Sequence, residues 1–141
     1  MTGRTVAIDL GTRRIGVAVG DAAGSMAFPR PMIERSGDPA LDRQAVAAVV
    51  EEVGAAVLVV GLPLSLDGRH GPAARAAVIE ASELASALEG TGVRVETFDE
   101  RLTTVSADAA LAGAGKRAKA RRQSIDSAAA TVLLQAWLDA R

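Results

Sequence analysis

The sequence predicts an α/β fold, a five-stranded mixed sheet with helices on both faces, and three observations carry that expectation. Two short apolar runs, 4–10 (RTVAIDL) and 15–20 (IGVAVG), are separated only by Gly11-Thr12-Arg13-Arg14, the length of a hairpin connection. Beyond residue 38, segments of helical periodicity alternate with two further apolar runs, the pattern of strands crossed by helices. Hydrophobic residues make up 49% of the chain but aromatics only 2%, so the core has to be built from Ala, Val, Leu and Ile.

Taken in order, the hairpin is followed by the turn Asp21-Ala22-Ala23-Gly24 and a third run, roughly 25–33, interrupted by Pro29 and Pro31. Proline cannot donate to a ladder, which assigns this strand to a sheet edge. Asp38 as N-cap and Pro39 at the first helical position open a helix in which Leu41, Ala45, Ala48, Val49 and Val53 recur at helical spacing, closed by Gly54. Ala55 to Val60 is a continuous valine-rich run, as in a parallel strand covered on both faces. It ends at Gly61-Leu62-Pro63, and a polar loop runs to Gly71. Pro72 begins an alanine-rich helix to about Glu89, Val93 to Phe98 is another strand, and Ser106 to Leu111 a short helix. Ser124 caps a final helix with Ile125, Ala129, Val132, Leu133 and Ala136 on one apolar face. This order is the layout of the ribonuclease H-like fold, with expected strand order 3-2-1-4-5, and it also fits other α/β folds. The 141 residues suit one domain spanning 1–141.

With 16 Lys and Arg against 17 Asp and Glu, the net charge of −1 gives no global attraction to a polyanion, so any such attraction must be local. One Trp and two Phe leave few rings for base stacking, which argues against a single-strand binder built on aromatic platforms. The absence of cysteine excludes thiolate chemistry and disulfides. No apolar run approaches membrane-spanning length and no leader pattern opens the chain, so a cytoplasmic protein without membrane contact is expected.

Asp9 lies inside the apolar run Val6-Ala7-Ile8-Asp9-Leu10, where a carboxylate is disfavoured and an uncompensated buried charge is costly. A bound cation explains it better than a bond to its own turn at Gly11 and Thr12. Asp99 and Glu100 follow the Val93 to Phe98 strand, at the end where ligands of open α/β sheets gather. Neighbours on an extended chain point to opposite faces, so only one of the two can face Asp9. The plain alternative is a solvated turn paired with Arg101. Asp126 falls in the first turn of the last helix, where the macrodipole favours an acid whatever its function. Brought together, three acids from separate elements make a hard oxygen site suited to Mg²⁺.

Residues 113–123 carry Lys116, Arg117, Lys119, Arg121 and Arg122 immediately before Asp126. A charge run is often only a solvated face, but next to an acidic cluster it suits phosphate tracking without sequence readout. Arg13 and Arg14 extend the same basic rim. His70, the single histidine, has no partner at metal-ligand spacing and reads as an exposed loop residue.

The segments VAIDLGTRRIGVAVGD, VVGLPLSLDG, FDERLTT and IDSAAATVLLQAWLD, in this order over nearly the whole chain, resemble the signature segments of the YqgF family. Its members are also called RuvX or Holliday junction resolvase-like proteins, and are regarded as candidate pre-16S rRNA nucleases. The resemblance implies that Asp9, Glu100 and Asp126 are the catalytic acids and hold Mg²⁺ or Mn²⁺, two ions in all. It further implies phosphodiester hydrolysis on precursor rRNA, in 5′-end processing during ribosome biogenesis, or on branched DNA, by a monomer or weak homodimer. A non-catalytic nucleic-acid-binding module is the alternative from another class. Asp9-Leu10-Gly11-Thr12 is also similar to the first phosphate motif of the actin and sugar-kinase superfamily, but those proteins clasp nucleotide between two domains. In a 3-2-1-4-5 sheet two strand positions, about 10 Å, separate Glu100 from Asp9, and the longer Glu side chain partly closes that gap. Asp67, after the more central strand, is the alternative ligand.

Overall fold

The computed structural model describes residues 3–65, 67–103 and 127–141. β1 (Arg4–Leu10) and β2 (Arg14–Gly20) form the expected antiparallel hairpin, Leu10 opposite Ile15 and Val6 opposite Val19. β3 (Ala27–Glu34) pairs only with β2, so its two prolines lie on an edge strand. A register shift between Ile15 and Val17 absorbs the irregularity that they impose. α1 (Pro39–Val53) starts where Asp38 accepts the Ala40 N–H at 3.0 Å, and ends at Gly54, whose φ of 71° is the left-handed cap that glycine adopts without a Cβ clash.

β4 (Ala55–Leu62) lies parallel to β1, and β5 (Arg94–Asp99) lies parallel to β4 on its far side. The strand order is β3-β2-β1-β4-β5, as expected from the sequence. β4 runs two residues further than its valine run and carries Gly61 into the sheet. α2 (Pro72–Ala87) precedes β5; a four-residue 3₁₀ turn, Glu100–Thr103, follows it; and α3 (Ala128–Asp139) ends the described chain.

Helices cover both faces. Val6, Ile8, Leu58 and Val60 pack with Val46 and Val50 of α1 and Ala81 and Leu84 of α2. Ala7, Ala18, Val57 and Val59 pack on the other face with Ala130, Leu133, Leu134 and Trp137 of α3. Arg43 of α1 clamps Glu80 of α2 by two bonds, of 2.6 and 3.2 Å, so the first layer is also tied by charge. Trp137 is buried and its indole N–H donates to Glu96 at 3.3 Å, so it offers no platform for a base.

Two expected helix faces are rotated. α1 buries Asp42, Val46 and Val50, while Leu41 is 52% exposed. Alanine and valine occupy most of its circumference, so periodicity alone leaves the stripe undetermined, and Asp42 goes inward because Ser36 satisfies it. α3 centres on Ala130, Leu133, Leu134 and Trp137, with Ala129 exposed. The expected helix at Ser106 to Leu111, Ile125 and the Ser124 cap lie outside the described residues. Among the described residues no helix is long and apolar enough to cross a membrane.

Candidate active site

Strand alternation sets which side chains can meet. Ala7 packs under α3 and Ile8 under the other two helices, so Asp9 returns to the α3 face. On β4, Val59 packs under α3 and Gly61, two residues on, points the same way. Ile8 pairs with Val60, which makes Asp9 and Gly61 the next residues on adjacent strands. Leu62 pairs with Asp99, so Glu100 leaves the sheet just past this end of β5.

The Glu100 and Asp9 side chains are hydrogen-bonded to each other, although β4 lies between their strands. Gly61 makes the crossing sterically open. A Cβ built on it would stand 2.7 Å from the Glu100 Oε1, closer than real Cβ contacts come, and a tight 3.0 Å from the Leu133 Cδ2. The missing side chain on the central strand is thus the passage through which the glutamate reaches β1. The sequence pattern alone marks this glycine only as the end of a strand. The available signal was a glycine at the end of a buried run, which marks close approach of another group.

Two carboxyl groups can share a hydrogen bond only if one of them carries a proton. Glu100 carries it, because burial raises its pKa first, the bond to Asp9 adds to this, and the charges of Asp9 and Asp99 add further, to about 8. The pair is a half-buried acid site in which a second negative charge is disfavoured.

Asp99 turns away from the pair. It accepts the Arg101 N–H at 2.9 Å, the Arg101 Nε at 3.0 Å and Nη2 at 2.6 Å. These bonds, chiefly those from the Arg101 side chain, hold its pKa below the usual carboxylate range. It therefore shapes the turn that delivers Glu100. Its donors belong to Arg101, the partner that the plain reading of this turn expects.

Asp67 is engaged within its own exposed loop by the Ser65 hydroxyl, by the Arg69 N–H at 3.1 Å and by the Arg69 Nε at 3.2 Å. Among the described residues no three acids or histidines form a metal-holding group, so Asp67 does not join Asp9 and Glu100. His70 is exposed. Arg14 pairs with Glu34 at 3.1 Å, while Arg13 is exposed at the hairpin tip.

Asp126 and the basic residues Lys116, Arg117, Lys119, Arg121 and Arg122 lie outside the described residues. Their described neighbour Ser127 is fully buried. Its hydroxyl accepts the Val17 N–H at 3.2 Å and donates to the Arg30 carbonyl at 2.6 Å. Val17 is opposite Ile8, so the start of α3 is fastened to β2 one residue from Asp9 in the β1 register.

A family model described as RuvX, Holliday junction resolvase, matches residues 3–140. A protein of Leifsonia xyli subsp. xyli with the provisional name pre-16S rRNA nuclease is 45% identical over 139 residues, covering 99% of this chain and 87% of that one. A protein of Nocardia farcinica with the same name is 43% identical over 144 residues, covering 99% and 79%. Among solved structures, T. thermophilus RuvC in complex with a Holliday junction substrate superposes with a TM-score of 0.67 at 18% identity, covering 99% of this chain and 95% of that one. The fowlpox virus Holliday junction resolvase superposes at 0.60 with 9% identity, covering 97% and 98%. The architecture is the ribonuclease H-like fold of these resolvases.

Two expectations follow from the carboxyl pair. A carboxyl whose pKa is raised on folding favours the folded state fully below its ordinary 4.5, and that contribution is lost as pH rises through about 8. In chelator, thermal stability should therefore decline across that window, and Glu100→Gln should flatten the decline; an unchanged slope in the variant would detach Glu100 from it. Gly61→Ala should cost about 1–3 kcal/mol by urea denaturation, as overpacking does, and should flatten the same profile by displacing the carboxyl. Wild-type stability and pH profile in Gly61→Ala would show that the glycine is dispensable.

Proposed function

The chain belongs to the RuvX family of Holliday junction resolvases, and from that premise we propose that it is a divalent-metal-dependent nuclease whose ions are held by Asp9, Glu100 and Asp126. The observation that carries the proposal is the half-buried Asp9 and Glu100 pair, joined across Gly61 at the carboxyl ends of β1 and β5. Such a pair costs stability, and the structure spends a glycine on a central strand to assemble it. A packing role alone does not require that.

The donor set fits a hard cation. Asp9 and Glu100 offer only carboxylate oxygens, and Glu100 has a proton to give up when a cation takes its place. Asp126 is the third acid, a role supported by the fastening of its neighbour Ser127 to β2 beside the Asp9 position. When bound, Mg²⁺ or Mn²⁺ supplies an activated water and stabilises charge on the phosphoryl oxygens and the leaving group. Asp9 and Glu100 would hold the cation at the sheet end, Asp99 and Arg101 hold the turn that presents Glu100, and Leu133 packs beside Gly61 beneath the pair. Lys116, Arg117, Lys119, Arg121 and Arg122 track substrate phosphates.

Precursor 16S rRNA is the substrate favoured by the names of the 45% and 43% identical relatives. Branched DNA is the second reading, favoured by the family description. A non-catalytic binding module is disfavoured, because paired acids repel phosphate unless a cation intervenes.

The test is cleavage of a 5′-extended 16S precursor and of a four-way DNA junction, each with Mg²⁺, Mn²⁺ or chelator. The wild type should cut the RNA with metal and not in chelator, and Asp9→Asn, folded, should lose at least about a hundredfold in rate, in keeping with loss of a charged transition-state contact. Asp99→Asn should melt lower yet still cleave. Full activity in Asp9→Asn, or cleavage of neither substrate by the wild type, would contradict the proposal.

A further inference from the structure

The hairpin tip and the β3 to α1 connection place two arginines opposite one another. Arg14 pairs with Glu34 in the β2 and β3 register, and the next step brings Arg13 opposite Arg35, sealed by the Arg35 N–H to Arg13 carbonyl bond of 2.9 Å. Directly opposed like charges destabilise a ladder, whereas the Arg14 and Glu34 step beside them is satisfied. Both arginines share the parity of Ile15 and Ile33, which pack on the α1 face. They line an open cavity of about 480 Å³ with Thr12, Glu34, Gly37, Pro39 and Asp42.

The acids of this cavity are already committed. Glu34 bonds Arg14 at 3.1 Å, and Asp42 accepts the Ser36 N–H and hydroxyl, each at 2.9 Å. Asp42 acts on Arg35 only through its charge. Neither Arg13 nor Arg35 forms an ion pair among the described residues, and the Arg35 Nε is buried with no hydrogen-bond partner. Two arginines without ion-pair partners that line one cavity, one of them with a buried Nε lacking a hydrogen bond, suit a bidentate oxyanion.

We infer that Arg13 and Arg35 form a subsite for a backbone phosphate of the substrate, flanking the one that is cut. The inference rests on the nuclease reading. The cavity opens at the same end of the sheet as the Asp9 and Glu100 pair but on the opposite face, with the hairpin tip between them. A strand held at both places bends over Gly11 to Arg14, which suits a structured RNA or the arm of a junction. The two neighbouring arginines therefore divide: Arg14 is turned to Glu34, and Arg13 works with Arg35.

Arg35 also borders a second cavity of about 10 Å³ with Asp42, Arg43 and Glu80, room for one water. A purely structural arginine serving that cavity is the competing account, and Arg13 separates the two because it does not border it. The test is binding of the precursor RNA in chelator across a salt series, for wild type, Arg13→Gln, Arg35→Gln and Arg4→Gln. Arg4, at the opposite end of β1, controls for the change in net charge. Arg13→Gln and Arg35→Gln should each weaken binding about tenfold at low salt, as expected for a lost charged hydrogen bond, and reduce the slope of log K against log salt by about 0.7–0.9. Arg13→Gln should fold as stably as wild type or better, and Arg4→Gln should bind as wild type. Sulfate should raise the melting temperature of the wild type more than that of Arg13→Gln. Wild-type affinity and slope in Arg13→Gln, or an equal loss in Arg4→Gln, would overturn the subsite while leaving the nuclease reading intact. A wild type that binds no nucleic acid in chelator or with Mg²⁺ would overturn both.

Discussion

Two carboxyl groups that share a proton at the end of a sheet are a liability that a small domain tolerates only when the rest of the fold is arranged around them. Asp9 and Glu100 start on strands two positions apart, and their meeting requires an open place on the strand between. Gly61 supplies it, and the neighbouring Val60 and Leu62 keep β4 in register on both sides. The Asp99 and Arg101 clamp turns the chain at the end of β5 so that Glu100 points inward. Ser127 fastens α3 over the same face, and Leu133 of that helix closes the floor beside Gly61. Each contact is modest alone. Together they hold one carboxyl in its protonated form near neutrality, where an isolated glutamate would be ionised.

Much of this was legible in the residues. Asp9 stands out because a carboxylate in a valine strand needs compensation, and Pro29 and Pro31 assign β3 to the edge, where it lies. Strand alternation separated Glu100 from Asp99, whose donors in the structure all belong to Arg101. What could not be read was the crossing itself. A 10 Å gap between strands looked like an obstacle for Glu100 because sequence spacing carries no information on which side chain is absent in between. The stripe of α1 was also beyond reach, since a helix apolar nearly all round lets the sheet decide which residues go in. Arg13 and Arg14 read as one basic rim; in the structure Arg14 pairs with Glu34 and Arg13 lies opposite Arg35.

If the pair holds a cation as proposed, the arrangement links stability, protonation and metal affinity through a single group. Without a cation, the fold favours a protonated Glu100; with one, the same burial that raised its pKa strengthens the attraction of both carboxylates for the ion. Metal binding should therefore expel a proton, and the number expelled reports whether Glu100 is a ligand. Calorimetric titration of Mn²⁺ at pH 7, in two buffers of different ionisation enthalpy, measures that number directly. The account predicts release of about one proton per molecule, fading as pH rises above about 8 and absent in Glu100→Gln. Binding of Mn²⁺ at pH 7 with no proton released would contradict it, because Glu100 would then stand outside the metal site.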